Sequence, residues 1–229
     1  MARGFFSGLL DIIFPPRCTF CRKFLKNSER HICGNCEKSL PYADKEEIKG
    51  DFFTLCVAPL YYKGNVRDSI LRFKFKNATN YATCYGRMLS ECIAKSLSGQ
   101  YDYITWVPLS KKRLKKRGYD QAMLLAMATA LELGEVALEL LKKTIDIPAQ
   151  SGLGAREKRK ANVSGAYEVI DPELIRDKRI LLIDDIVTTG STLSECARML
   201  LMAGAESVVC AALAAAERDK INKGVPLAD

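Results

Sequence analysis

Two adjacent carboxylates, Asp184 and Asp185, follow four branched apolar residues, Ile180 to Ile183, and precede the polar run Thr188-Thr189-Gly190-Ser191-Thr192. Like charges side by side at the end of a buried strand repel each other and lose hydration, so they require a partner. A vicinal diol suits them, because each carboxylate accepts one hydroxyl proton; a divalent cation, held directly or through water, suits them equally. The run that follows has a different chemistry. Four hydroxyls surround Gly190, whose freedom at positive φ lets successive N–H groups turn inward, and a helix starting near Ser191 or Thr192 adds its positive dipole end. Sugar hydroxyls on the aspartates and phosphate in the loop together describe a ribose 5-phosphate site. The chain contains no GxxxxGK[ST], which excludes a Walker A loop. A phosphoacceptor domain carries its paired acids early and its acceptor aspartate on a later strand, whereas this pair is late. An ordinary capped helix start needs one Ser or Thr, not this whole pattern.

A second candidate is KKRLKKR, residues 111 to 117, with six basic residues in seven. It follows Val107-Pro108-Leu109 at the end of another strand and is expected as a loop projecting over the same face as Asp184. A diphosphate calls for several cations and backbone donors. Two other readings remain open for it. A solvated basic turn is one. A nucleic-acid patch, extended by Arg156, Lys158, Arg159 and Lys160 and with Tyr119 to stack on a base, is the other. That patch would lose affinity with salt by about 0.7 log units per log salt for each phosphate contacted on a single strand.

The third constellation is Cys18-x2-Cys21, eleven residues, then Cys33-x2-Cys36. Each CxxC forms a tight knuckle, and two knuckles bring four thiolates to one tetrahedral ion. Soft sulfur ligands with no open position point to structural zinc. A segment this short buries too little surface to fold alone, and zinc supplies about 10–16 kcal/mol of folding free energy in such units. A redox dithiol would be a single CxxC opening a helix in a βαβ unit, which this is not. His31, the only histidine, is expected at the surface, and its solitude argues against histidine-based catalysis.

These groups must be held by elements legible in the hydrophobic pattern. Residues 52–62 read as one or two strands, and Val66, Ile70, Leu71 and Phe73 recur at helical spacing. Helices are expected over 81–97, 119–133 and 192–202, the last ended by Gly204 as a C′ glycine. Strands are expected at 101–108, 178–185 and 206–214. The apolar run before Asp184 is of the kind buried on both faces of a parallel sheet. Strands alternating with helices imply an α/β fold with right-handed crossovers and a largely parallel sheet. The polar stretch around residues 41–51 separates a cysteine-rich segment, 1–50, from this body, 51–229. Residues 1–18 are read as a short helix packing on the body, because Asp11 interrupts their apolar part and no cleavage site follows.

The composition fits an ordinary globular chain, with 229 residues, 48% hydrophobic and 27% charged. No apolar run reaches the length of a membrane span. The five remaining cysteines are scattered in apolar settings, as expected of buried thiols in a reducing compartment, so a cytoplasmic location is expected. The net charge of +8 suits polyanionic partners without selecting one.

ILLIDDIVTTGST resembles the phosphoribosyl diphosphate (PRPP) motif of type I phosphoribosyltransferases. The chain as a whole resembles the ComF family of competence proteins, in which an amino-terminal zinc ribbon precedes a phosphoribosyltransferase domain. The resemblance rests on the two CxxC pairs, on WVPLSKKRLKKRGYDQ, on Gln150 with Arg159-x2-Asn162, and on LLIDDIVTTGST. It implies an open parallel sheet flanked by helices. It implies PRPP with Mg²⁺ as ligand, the 5-phosphate on Thr188, Thr189, Gly190, Ser191 and Thr192 and the ribose hydroxyls on Asp184 and Asp185. Pyrophosphate would lie against Leu109, Ser110, Lys111, Lys112 and Arg113, with Arg117, Gln121, Gln150, Arg159 and Asn162 as flap or neighbouring positions. It further implies a role in natural transformation, with single-stranded DNA and other competence proteins as partners. One departure stands out: the family's RGFNQ is here Arg117-Gly118-Tyr119-Asp120-Gln121, so an acid replaces an amide at position 120. No base pocket is legible, so the acceptor stays open. A non-catalytic nucleic-acid-binding factor that keeps PRPP as a regulatory or vestigial ligand, and a zinc-ribbon adaptor for a protein partner, are the competing readings.

Overall fold

The computed structural model describes residues 15–43, 48–144 and 165–217. Residues 1–14 of the expected amino-terminal helix lie outside these residues, as do Gln150, Arg156, Lys158, Arg159, Lys160 and Asn162; residues 15–18, which are described, are not helical.

Among the described residues five strands form the main sheet: β1 (Cys56–Val57), β2 (Leu60–Tyr61), β3 (Tyr103–Trp106), β6 (Arg179–Val187) and β7 (Ser207–Ala215). The order is β1-β7-β6-β3, and β2 continues along the same edge of β7, two residues beyond β1. Every pairing in this sheet is parallel, as the alternation of elements implied. β4 (Leu141–Lys143) and β5 (Tyr167–Val169) make a separate antiparallel pair.

Alternation along the central strands divides the molecule into layers. Leu181 and Ile183, with Ile104, Trp106, Val209 and Ala211, face one core with helices α2 (Gly64–Phe75), α3 (Tyr81–Ser96) and α5 (Gln121–Leu133). Ile180 and Leu182, with Val208, Cys210 and Ala212, face a second core closed by α7 (Ser191–Met202), short α6 (Pro172–Ile175) and the β4–β5 pair. Both faces are thus dry, which explains the unbroken apolar runs of β6 and β7. α3 and α5 approach so closely that a Cβ at Gly86 would lie 2.7 Å from the Ala128 carbonyl carbon.

The cysteine-rich segment, which carries the short helix α1 (Gly34–Ser39), shares the first of these cores. Phe20, 1% exposed, packs on Tyr85 with ring centroids 6.0 Å apart. Ser69 and Arg72 of α2 donate to the Thr19 carbonyl at 2.6 and 3.1 Å, and Arg72 also donates to the Phe20 carbonyl at 2.6 Å. The knuckle's carbonyls therefore find their donors on the body.

Candidate ribose-phosphate site and four-cysteine centre

β6 does not stop at the acidic pair. Ile186 and Val187 pair with Ala214 and Ala215, so Asp184 and Asp185 lie inside the strand, whereas the sequence placed them at its end. Being adjacent in a strand, the two carboxylates follow opposite faces. Asp185 takes the side of α2, where its Oδ1 is 2.9 Å from Lys74 Nζ. Its Oδ2 is buried and has no hydrogen-bond partner among the described residues, the residue being only 4% exposed. Asp184, half-buried, takes the side of α7 and accepts the Asp185 amide at 2.7 Å. Burial first, and Asp185 second, raise its carboxyl to about 8, against the opposing pull of Lys74. A pair in this condition gains from any ligand that brings hydroxyl donors or positive charge.

The loop behaves as its composition implied. Gly190 sits in the left-handed region at φ 74° and caps α7, and its carbonyl accepts the Ser194 amide at 2.8 Å. Thr189 and Ser191 hydroxyls lie 2.9 Å apart, and Ser191 N–H donates to Thr189 Oγ1. No acidic residue occupies the first turn of α7, leaving the positive end of the helix uncompensated.

The basic heptad, expected as a loop, is helix α4 (Lys111–Arg117). Ser110 caps it by accepting the Arg113 amide, and Gly118 at φ 85° closes it, which fixes both ends. Lys111, Lys112, Arg113, Lys115 and Lys116 are exposed. Arg117, half-buried, donates to Gln121 Oε1, and its guanidinium stands 4.9 Å above the Phe75 ring.

The departure at position 120 has a structural role. Asp120 caps α5, its Oδ1 accepting the Ala122 and Met123 amides at 3.0 and 3.1 Å, while Oδ2 accepts the Leu109 amide at 2.8 Å. The helix consequently starts at Gln121 rather than Tyr119, and the Leu109 amide is committed within the protein rather than aimed at a diphosphate. Burial, opposed by these three donors, raises the Asp120 carboxyl. Tyr119 is likewise engaged, its hydroxyl donating to the Phe73 carbonyl. The sequence reading missed Lys74. It lies on a helix 111 positions before Asp185 in the chain, so it gave no local signal.

The four cysteines converge as their spacing implied. The Sγ atoms of Cys18, Cys21, Cys33 and Cys36 all lie within 4.8 Å of one another, and Cys21 and Cys33 are 3.5 Å apart. Tetrahedral zinc with bonds of about 2.3 Å sets sulfurs about 3.8 Å apart, so the set fits. Arg22 at φ 64° turns the first knuckle, and Cys33 N–H donates to Cys18 Sγ at 3.4 Å. The two knuckles are joined where the Thr19 amide donates to the His31 carbonyl. His31 itself is half-buried rather than a surface residue, and burial followed by Arg87 and Arg30 lowers its pKa.

Comparison with known proteins agrees with this architecture. Residues 120–225 match the phosphoribosyl transferase domain family, and residues 9–47 match the double zinc ribbon domain family. Competence protein F of Haemophilus influenzae is 32% identical over 201 residues, covering 84% of this chain and 82% of the relative. Competence protein ComFC of Bacillus subtilis is 26% identical, covering 82% and 78% respectively. DNA utilization protein YhgH of Escherichia coli K12 is 32% identical over a shorter stretch, 61% of this chain and 62% of that protein. With its parallel sheet, its phosphoribosyltransferase domain and its four-cysteine cluster, the chain belongs to the ComF family of competence proteins.

Proposed function

We propose that this protein binds PRPP, with the Mg²⁺ that accompanies it, on β6 and the start of α7. The observation that carries the reading is the buried Oδ2 of Asp185, unpartnered among the described residues, beside an Asp184 carboxyl raised by burial, one short loop ahead of a glycine-capped helix rich in hydroxyls. Ribose hydroxyls would supply the missing donors to both aspartates. The 5-phosphate would lie against Thr188, Thr189, Gly190, Ser191 and Thr192, and the diphosphate against Ser110, Lys111, Lys112 and Arg113. When pyrophosphate departs, the sugar ring gains positive charge that the two carboxylates stabilise, and the attacking atom comes from an acceptor rather than from a protein side chain. Zinc in the four-cysteine centre would be structural, holding the knuckles against α2.

Calorimetric titration of PRPP with Mg²⁺ into wild type and into Asp184→Asn/Asp185→Asn tests this. Binding to wild type alone is the expected result. Equal binding to both proteins, or to neither, refutes the assignment.

A second reading is favoured by the exposure of five cations on α4, together with the relatives' roles in competence and DNA utilization. In it, single-stranded DNA lies along α4 in the cytoplasm during DNA uptake, and other competence proteins are partners. Neutralising Lys111, Lys112, Lys115 and Lys116 together should weaken DNA binding and flatten its salt dependence. An unchanged salt slope counts against it.

A further inference from the structure

α2 ends in two phenylalanines of opposite fate. Phe73 is fully buried, edge-on to Tyr85 at 5.3 Å. Phe75, the last residue of the helix, is 58% exposed, and one of its faces carries the Arg117 guanidinium at 4.9 Å. A single exposed apolar side chain needs no explanation, but the surroundings of this one are specific. Its neighbour Lys74 reaches Asp185, so the end of α2 that carries the ring lies next to the acidic pair. Arg117 is held by Gln121 and acts electrostatically on Asp185. The backbone that supports both residues is pinned, because Tyr119 donates to the Phe73 carbonyl and its ring packs on Phe73 at 6.3 Å. The result is an aromatic face and a guanidinium plane held against each other, with exposed Lys76 next to Phe75 in the chain and the exposed cations of α4 preceding Arg117.

Aromatic rings and guanidinium planes are the two surfaces on which unpaired nucleobases stack. We propose that Phe75 and Arg117 form a stacking platform for a nucleobase at the rim of the Asp184–Asp185 site. The occupant is a base of a single strand. A free base presents one ring and no phosphates, whereas Arg117 closes a helix with five further exposed cations that match a backbone of repeating charges. In this arrangement the base lies on Phe75 while the adjoining phosphates follow α4. The placement beside a ribose site rests on the proposed function, and it brings a heterocyclic nitrogen toward the carboxylates that would stabilise the sugar cation. The platform itself is independent of PRPP, and its test omits that ligand.

The experiment uses the full chain and a fluorescein-labelled single strand of about 12 nucleotides, within the span such sites cover, beside an abasic strand of equal length and charge. Wild type should bind the base-bearing strand about 5- to 150-fold more tightly than the abasic one, the range expected for one stacked base. Phe75→Ala should erase that difference. Phe75→Trp should restore it, with the added tryptophan emission quenched by the strand. Because Phe75 is exposed, Phe75→Ala has no core to disrupt, and circular dichroism confirms its fold. A base-dependent preference that survives Phe75→Ala, or no preference in wild type, overturns the proposal. In a parallel arm, free adenine or thymine that quenches Phe75→Trp while the strand does not would overturn the single strand as occupant. Failure of PRPP to bind in the calorimetric experiment leaves these outcomes unaffected, so the two readings fail separately.

Discussion

Lys74→Met would take the positive partner out of the Lys74–Asp185 pair while keeping most of the side chain's length. The change strands Asp185, buried with neither carboxylate oxygen satisfied and Asp184 next to it in the strand. Breaking a buried ion pair from one side costs about 3–5 kcal/mol. The Lys74 side chain is 18% exposed and that of Asp185 6%, so water reaches the ammonium, and the loss belongs at the low end, about 3 kcal/mol. For a chain of this size that is a fall in Tm of about 6–12 °C. Asp185→Asn removes the stranded charge, so Lys74→Met/Asp185→Asn should recover part of the loss, with a coupling energy of at least about 1.5 kcal/mol. Urea unfolding of the zinc-loaded protein gives the readout through Trp106, the only tryptophan, which is 5% exposed on β3 beside β6. A loss below about 1 kcal/mol, with single and double variants additive to within about 0.5 kcal/mol, would refute the reasoning. The pair would then behave as an exposed surface contact.

Asp184→Asn should stabilise the protein at alkaline pH. Its folded pKa is raised, so between pH of about 4 and about 8 the folded state holds more protons at this site than the unfolded one, and the contribution is lost as pH rises. Denaturation should show the variant ahead by about 1–3 kcal/mol at pH 8, with the advantage vanishing toward pH 4; a pH-independent difference would contradict this. Asp120→Ala should cost about 2–3 kcal/mol, because the Ala122 and Met123 amides lose their cap and the Leu109 amide loses its acceptor. Asp120→Asn should stay within about 1 kcal/mol of wild type by the same denaturation assay. Cys18→Ser/Cys21→Ser should abolish metal content by mass spectrometry and raise amide exchange in α2, whose Ser69 and Arg72 bond the first knuckle. Full metal retention would sink the four-cysteine assignment.

Much of the fold was legible because its determinants are local. Unbroken apolar runs marked β6 and β7, and the spacing of Val66, Ile70 and Phe73 marked α2. Gly204, at φ 104°, ends α7 as a C′ glycine should. The knuckle spacing alone brought four sulfurs together, since two residues between cysteines fix their separation. Elsewhere local reading was misled. The six basic residues of 111–117 were read as a loop from their charge, but Ser110 and Gly118 cap a helix whose side chains separate that charge into solvent. The Asp184–Asp185 pair reads as a strand end, because nothing within β6 announces that its backbone pairing with β7 runs on to Val187.

The sequence by itself determined the chemical inventory: paired acids ahead of a hydroxyl-rich glycine turn, a basic heptad and four metal-spaced thiols. Types and spacings of neighbouring residues are sufficient for that. Only the tertiary structure decided the partners. It gave Asp185 a lysine from α2, spent the Leu109 amide on Asp120, and set Arg117 over Phe75 from a helix 42 positions further along the chain. Such contacts depend on which face each strand residue takes and on how α2 and α5 lie over it. They join residues far apart in sequence, where no periodicity carries the signal.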